Sequence, residues 1–133
     1  MRKIVIDGSA TFYKEAQELK TELEKQNYEV IDYPKNINDS INEEYKMAYE
    51  RFYESLNKTD DLLLLNLDKK GIIGYIGYES FAELSNLVVK KIQINNNHKI
   101  YIYKLPSKEV GCYDEIIKVL ELGYIEIYSK DEK

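Results

Sequence analysis

Two acidic residues near the middle of the chain have the side-chain type and the setting for catalysis. Asp68 follows the apolar segment 62–65, and Glu83 lies on the early turns of the helix predicted after it. A carboxylate near a helix N-terminus is kept ionised by the helix dipole and can attack an electrophilic carbon, as carboxylates do in glycosyl transfer. An aspartate at a strand end can bind sugar hydroxyl groups or assist a proton transfer.

Each carboxylate also has a structural interpretation. Ser80 and Glu83 fit the S-x-x-E capping box, in which the glutamate bonds a backbone N–H at the start of its own helix. Asp68 can be a turn residue ahead of a Lys-Lys-Gly sequence. On the residues alone, the capping box is the favoured interpretation of Glu83, and the two interpretations of Asp68 stay open.

A Gly-Ser pair after the first apolar segment is a candidate contact for a ligand. Gly8 allows close approach of the backbone, and the Ser9 hydroxyl can donate to an anion, although a simple helix cap explains Ser9 equally well. The sequence has neither a G-x-G-x-x-G nor a P-loop pattern, which disfavours the usual dinucleotide and P-loop sites. The loop after the apolar segment 62–65 supplies further residues that we expect to line a pocket: Asn66, Tyr75, Gly77 and Tyr78.

Composition excludes several other classes of function. The chain has 133 residues, a net charge of −5, one histidine and one cysteine. The negative charge disfavours duplex nucleic acid as a partner. His98 and Cys112 supply neither a metal-ligand cluster nor a nucleophile with a base, so we expect no metal and no cofactor. The absence of a signal peptide or a membrane-length apolar segment predicts a cytoplasmic protein.

Alternating apolar segments predict the elements that must position these residues. Short strands are expected at 3–6, 28–33, 62–65, 99–103 and 124–128. Helical spacing is expected at 10–26, 41–56, after Gly77, and at 113–122, with a loop marked by Pro34, Asn36, Asn38 and Asp39. The order is βαβαβαβαβ, which predicts a single α/β domain over 1–133: a three-layer sandwich with a five-stranded parallel sheet of flavodoxin-like order 2-1-3-4-5.

This topology predicts where a ligand binds. Open parallel sheets bind ligands past the carboxyl ends of their strands, at the switch point between strands one and three. The turn at 7–9 and the loop at 66–77 should therefore lie on opposite sides of one crevice.

Three segments resemble one family. The opening IDGSATF, the loop NLDKKGIIGYIG and the helix ESFAELSNLVVKKI, with NHKIYIYKLP after it, are similar to the nucleoside 2-deoxyribosyltransferase-like superfamily, which includes deoxynucleoside-phosphate N-hydrolases. The resemblance implies that Glu83 is the nucleophile at the anomeric carbon and that Asp68 contacts the sugar or the leaving base. It also implies that Gly8 and Ser9 lie near the 5′ end of a nucleoside or nucleotide.

Two departures from the superfamily pattern keep a second interpretation open. Bulky Tyr78 lies in the approach to the glutamate, and the segment SATFYK lacks the arginine that monophosphate hydrolases have near the first turn. The alternative is a catalytically inactive nucleotide-binding or protein-interaction module of the same fold. In either case we expect a homodimer, because the helix over 41–56 carries a possible contact surface of Tyr45, Tyr49, Phe52 and Tyr53.

Overall fold

The structure is a computed structural model that describes residues 1–36 and 42–129. The strands are β1 (Arg2–Asp7), β2 (Tyr28–Asp32), β3 (Asp61–Leu64), β4 (Lys99–Ile102) and β5 (Glu126–Ile127). The α-helices are α1 (Tyr13–Lys25), α2 (Asn42–Lys58), α3 (Tyr78–Gln93) and α4 (Tyr113–Glu121). Asn38 and Asp39, two of the predicted loop markers, lie outside the described residues.

The strands form one parallel sheet in the order β2-β1-β3-β4-β5. This confirms the predicted α/β class and the flavodoxin-like order. Within the described residues, none of the helices is long and apolar enough to span a membrane.

Most predicted boundaries differ from the structure by one to three residues, and two of the differences have a local cause. The first helix is preceded by a short 3-10 turn, Ala10–Phe12, because the Ser9 side chain accepts a hydrogen bond from the Thr11 N–H and begins the turn there. The last strand has only two residues instead of five, because β5 pairs with β4 only at Glu126 and Ile127.

The leucine run of β3 is buried on both faces of the sheet, as predicted for a central strand. Leu62 and Leu64 belong to the core beneath α2, α3 and α4, whereas Leu63 and Leu65 belong to the core beneath α1. Alternate side chains of a strand point to opposite faces, so four consecutive leucines supply both cores at once. This fixes the register of β3 and the height at which its carboxyl end meets that of β1.

The amino end of β3 is held by a buried ion pair. Arg2 donates from Nε and Nη2 to the Asp61 carboxylate at 2.8 and 2.6 Å, and the Lys99 N–H donates to the same carboxylate at 2.9 Å. The Asp61 side chain is 0% exposed and that of Arg2 is 41% exposed. The pair therefore joins three neighbouring strands at the edge opposite the predicted crevice.

We expect Arg2→Met to lower the free energy of unfolding, because it leaves the Asp61 charge buried with one backbone donor. The loss should be about 2 kcal/mol, below the value for a fully buried pair since water reaches Arg2. Urea unfolding measures it, with Lys3→Met as the control for losing one positive charge from the same strand. Equal urea midpoints for the two variants would contradict this role of the ion pair.

Candidate functional site

A cavity of about 530 Å³ opens at the carboxyl ends of β1 and β3. Its wall includes the turn after β1, the segment after β2, one face of α2 and the first turns of α3. This is the switch point of the sheet, where strand order reverses and ligands of such folds bind. The predicted residues that line it are Gly8, Ser9, Tyr75, Gly77, Tyr78 and Glu83.

Glu83 does not form the capping box that its spacing suggested. Helix α3 begins at Tyr78 with Gly77 as its N-cap, and no side chain caps it. Ser80 is therefore the third residue of the helix and Glu83 the sixth, one turn too far along to reach the free N–H groups at the helix start. A capping box requires Ser80 as the N-cap residue. The N-cap is Gly77, three residues earlier, so the capping-box interpretation is wrong.

The Glu83 side chain instead contacts Asp7 at the end of β1. Both residues are buried on the wall of the cavity, and a side-chain hydrogen bond between them raises the pKa of Asp7 and lowers that of Glu83. Ser80 Oγ donates to Asp7 Oδ1 at 3.3 Å, which joins the end of β1 to the first turn of α3. Two carboxyl groups can bond in this way only if one of them carries a proton.

Burial is the main cause of the raised pKa values of Asp7 and Glu83. It raises the pKa of Asp7 well above its ordinary range, and the neighbouring charge of Glu83 raises it further. Burial also raises the pKa of Glu83, from 4.5 to about 7, against the lowering effect of the hydrogen bond from Asp7. The hydrogen bond between them therefore favours the protonated form of Asp7 and the ionised form of Glu83. Carboxyl pairs with separated pKa values are typical of catalytic sites.

The sequence analysis did not include Asp7 among the site residues. Its one signal is its place as the last residue of β1, directly before the Gly-Ser pair that was singled out. Its role comes from Glu83, which lies 76 positions later in the chain, on helix α3. Their proximity depends on the register of β1 against β3. That register cannot be deduced from local spacing.

A cation lies beside the Gly-Ser turn. Lys69 Nζ donates to Ser9 Oγ at 2.9 Å, and the Ser9 and Thr11 hydroxyl groups are 2.7 Å apart. The Lys69 ammonium also lies 5.4 Å from the centre of the Tyr75 ring. Ser9 thus caps its 3-10 turn and also lines the cavity, and its contact with a ligand stays a prediction.

The other two cationic side chains of the cavity wall are paired with one buried carboxylate. Lys35 Nζ lies 2.9 Å from Asp32 Oδ1, and Arg51 Nε lies 3.9 Å from Asp32 Oδ2. Ser55 Oγ also donates to this carboxylate, at 3.0 Å. Among the described residues Lys69 makes no such ion pair, so its charge is the one available to an anionic ligand at the cavity wall.

Helix α2 contributes an aromatic wall. Tyr45 and Tyr49 line the cavity with nearly parallel rings whose centres are 6.4 Å apart. Tyr45 Oη donates to Glu79 Oε2 at 2.5 Å, which connects α2 to the start of α3. Tyr78 is 79% exposed and leaves the cavity open. Flat side chains of this kind suit the face of a heterocyclic base.

Two predicted site residues are held by the loop instead. Asp68 accepts hydrogen bonds from the Gly74 N–H at 2.9 Å and from Lys104 Nζ at 3.0 Å, and these bonds lower its pKa. Buried Asn66 donates to the carbonyl of Gly74 and accepts from the Tyr103 N–H. The part of the cavity wall that the structure describes does not include either residue. Both fix the loop that presents Tyr75 and Gly77.

Gly74 shows why that loop has its shape. Its φ is +65°, and a Cβ atom there would lie 2.8 Å from Pro106 Cα, so the two loops pack backbone against backbone. Gly8 has a comparable constraint, since its φ is +152° and a Cβ would lie 3.1 Å from the Leu65 carbonyl oxygen. Within the described residues, no group of three or more His, Cys, Asp or Glu side chains is placed to hold a metal ion.

Comparisons with protein-family models, with curated proteins and with solved structures found no match to this chain.

Proposed function

We propose that the protein cleaves or exchanges the N-glycosidic bond of a nucleoside or nucleotide, with Glu83 as the nucleophile. The observation that carries the proposal is the position of the Glu83 carboxylate, which is buried on the wall of a cavity of about 530 Å³ and does not cap its helix. It sits at the ligand-binding edge of the sheet and ionises near neutral pH. The resemblance of three sequence segments to the deoxyribosyltransferase-like superfamily points to the same residue.

The reaction uses the side chains of the cavity in a simple order. The Glu83 carboxylate attacks C1′ of the sugar, a C–O ester bond forms, and the C1′–N bond breaks with its electron pair passing to the base. The departing base takes a proton from solvent water, and water or a second base then displaces Glu83 with retention at C1′. Tyr45 and Tyr49 stack on the base during this sequence. The substrates are metabolites of the cytoplasm, which is the proposed location.

The positive charge of Lys69 on the cavity wall favours a nucleotide over a nucleoside as the substrate. Lys69, with the Ser9 and Thr11 hydroxyl groups beside it, offers one positive charge and two donors next to the turn that follows Asp7. A phosphate at the 5′ end of the sugar would take these donors while C1′ faces Glu83. Lys69 would then supply the charge that the missing arginine supplies in monophosphate hydrolases.

The alternative is an inactive nucleotide-binding or protein-interaction module, and one observation favours it. Asp68, the expected partner in protonation of the leaving base, is engaged with Gly74 and Lys104 in the loop. Protonation of the base then has no assigned side chain. Under this alternative the cavity binds a nucleotide and releases no free base.

We expect Glu83→Gln to abolish release of free base from nucleosides and nucleoside monophosphates, with a loss of a thousandfold or more, because the amide cannot form the ester. Chromatography of the released base measures it. Glu18→Gln, on the exposed side of α1, is the matched control and should keep full activity. Base release by Glu83→Gln at the wild-type rate would disprove the role of Glu83 as the nucleophile. If the wild-type protein releases no base from any of these nucleosides and nucleoside monophosphates, the binding module is favoured.

Melting temperatures of the same variant show whether it is folded, and they have a predicted pH dependence. A carboxyl group whose pKa rises from 4.5 to about 7 on folding stabilises the folded chain below pH 4.5. That contribution is lost as pH rises through 7, and glutamine does not titrate. Glu83→Gln should therefore gain stability relative to wild type between pH 5 and pH 8, by up to about 3 kcal/mol. A constant difference across this range would contradict the burial of an ionisable Glu83.

Lys69→Met tests the preference for a phosphate. Loss of a charge-assisted hydrogen bond should lower kcat/KM for a nucleoside monophosphate by about 10- to 100-fold and leave the unphosphorylated nucleoside unchanged. Lys70→Met, at the exposed next position, is the control for net charge. An equal loss for both substrates would show that Lys69 supports the loop and does not bind phosphate.

The proposed assembly is a homodimer formed through α2. Phe52 and Tyr53 pack against the core, so the contact surface is reduced to Tyr45 and Tyr49, which are 45% and 40% exposed at the cavity mouth. Light scattering at micromolar concentration should give twice the chain mass of 15.7 kDa. A strict monomer would remove this part of the proposal.

A further inference from the structure

One oxygen atom of the Asp7 carboxyl group has no hydrogen-bond partner among the described residues. Asp7 Oδ2 is buried, and no N–H or hydroxyl group among the described residues donates to it. The other oxygen, Oδ1, is held by Ser80 Oγ. A buried carboxylate oxygen without a donor is costly, so a proton shared with Glu83 is the arrangement that satisfies both side chains.

We propose that Asp7 is the positioning residue for Glu83: its protonated carboxyl group donates a hydrogen bond that orients and ionises the Glu83 carboxylate at the cavity wall. The inference rests on the proposed function for its catalytic meaning, but the pairing itself is a property of the folded chain. In this arrangement Asp7 acts through Glu83 and does not touch the leaving base.

A hydrogen bond between the two carboxyl groups would disfavour the other role of Asp7, that of the acid that protonates the leaving base. In a retaining mechanism the nucleophile and the acid flank the anomeric carbon from opposite sides, with carboxyl groups about 5 to 5.5 Å apart. Two carboxyl groups that share a hydrogen bond lie about 2.5 to 3 Å apart, too close to leave a sugar between them. Asp7 and Glu83 therefore approach the substrate from the same side, and the proton on Asp7 faces Glu83.

Charged and titratable groups surround the pair on each element packed against it. Glu79 on α3 and Asp32 at the end of β2 raise the pKa of Glu83, whereas Lys35 and Arg51 beside Asp32 offset the second of these charges. Helix α2 contributes phenol groups, and the loop after β3 contributes one cation. These groups are Tyr45, Tyr49, Tyr53 and Lys69.

Two substitutions at position 7 separate positioning from proton donation. Asp7→Asn keeps an N–H that can donate to the Glu83 carboxylate, although it has no titrating proton to give. Asp7→Ala removes the donor, so burial acts on Glu83 unopposed and its pKa should rise. A positioning residue tolerates asparagine and not alanine, whereas a proton donor tolerates neither.

The experiment is a carboxyl ¹³C NMR titration of the full-length protein, which needs no turnover. Glu83→Gln identifies the Glu83 signal. Wild type should show two linked titration steps for this carbon, and Asp7→Asn only one. The midpoint for Glu83 should be higher in Asp7→Ala than in Asp7→Asn by about one pH unit or more. Equal midpoints in the two variants would overturn the proposal.

Kinetics of base release give the second measurement. Asp7→Asn should keep kcat/KM within about tenfold of wild type above the midpoint of Glu83, and the acid limb of the profile in Asp7→Ala should move to higher pH. If Asp7→Asn is as inactive as Glu83→Gln at every pH while its Glu83 titrates normally, Asp7 donates a proton to the substrate and the proposal is overturned. If wild type releases no base, the proposed function fails, and the NMR titration still decides the pairing.

Ser80→Ala gives an independent test that leaves both carboxyl groups in place. The Ser80 hydroxyl group stabilises ionised Asp7, so its removal should move the upper titration step to higher pH and change the lower step little. Thr11→Ala, whose hydroxyl group bonds Ser9 instead, is the matched control and should leave both steps unchanged. An upper step that does not respond to Ser80→Ala would contradict the assignment of the shared proton to Asp7.

Discussion

The burial of two carboxyl groups side by side is the constraint on which the site depends. Isolated, either charge would be expelled from the interior or protonated, so the pair persists in the fold only by holding a proton between its members. Ser80 and the end of β1 fix the position of that proton. The rest of the domain must supply the free energy that keeps both groups out of water.

The sheet supplies that free energy and sets the geometry together. The four leucines of 62–65 fill both cores, and the Leu65 N–H donates to the Asp7 carbonyl at 2.7 Å, so the two strand ends meet at one level. Gly8 allows this approach because a side chain there would meet the Leu65 carbonyl. The Arg2–Asp61 pair fixes the opposite edge. Asp7 thus lies at the end of a strand and Glu83 on a helix, and sites built on such elements are positioned more precisely than sites on loops.

The sequence predicted the elements, the sheet order and one side of the cavity, because these follow from local patterns. Hydrophobic periodicity gives strands and helices, and the short connections leave few topologies. The spacing of Ser80 and Glu83 misled, since a capping box depends on where the helix begins, and the turn at Gly77 decides that. Asp7 and Lys69 were missed because their roles come from contacts between distant segments. Asp68 and Asn66 were placed at the correct strand end, but their hydrogen bonds hold the loop.

The distribution of charge over the cavity wall explains how an acidic chain can favour an anionic substrate. Burial favours the neutral form of Asp7, and Asp32 is paired with Lys35 and Arg51, so these two carboxyl groups add less negative charge to the wall than their number suggests. Lys69 makes no ion pair among the described residues, so its charge is available to a ligand. Under the proposed function, protonation of Asp7 would have two consequences: it would hold Glu83, the proposed nucleophile, in place, and it would reduce the repulsion of a phosphate bound by Lys69.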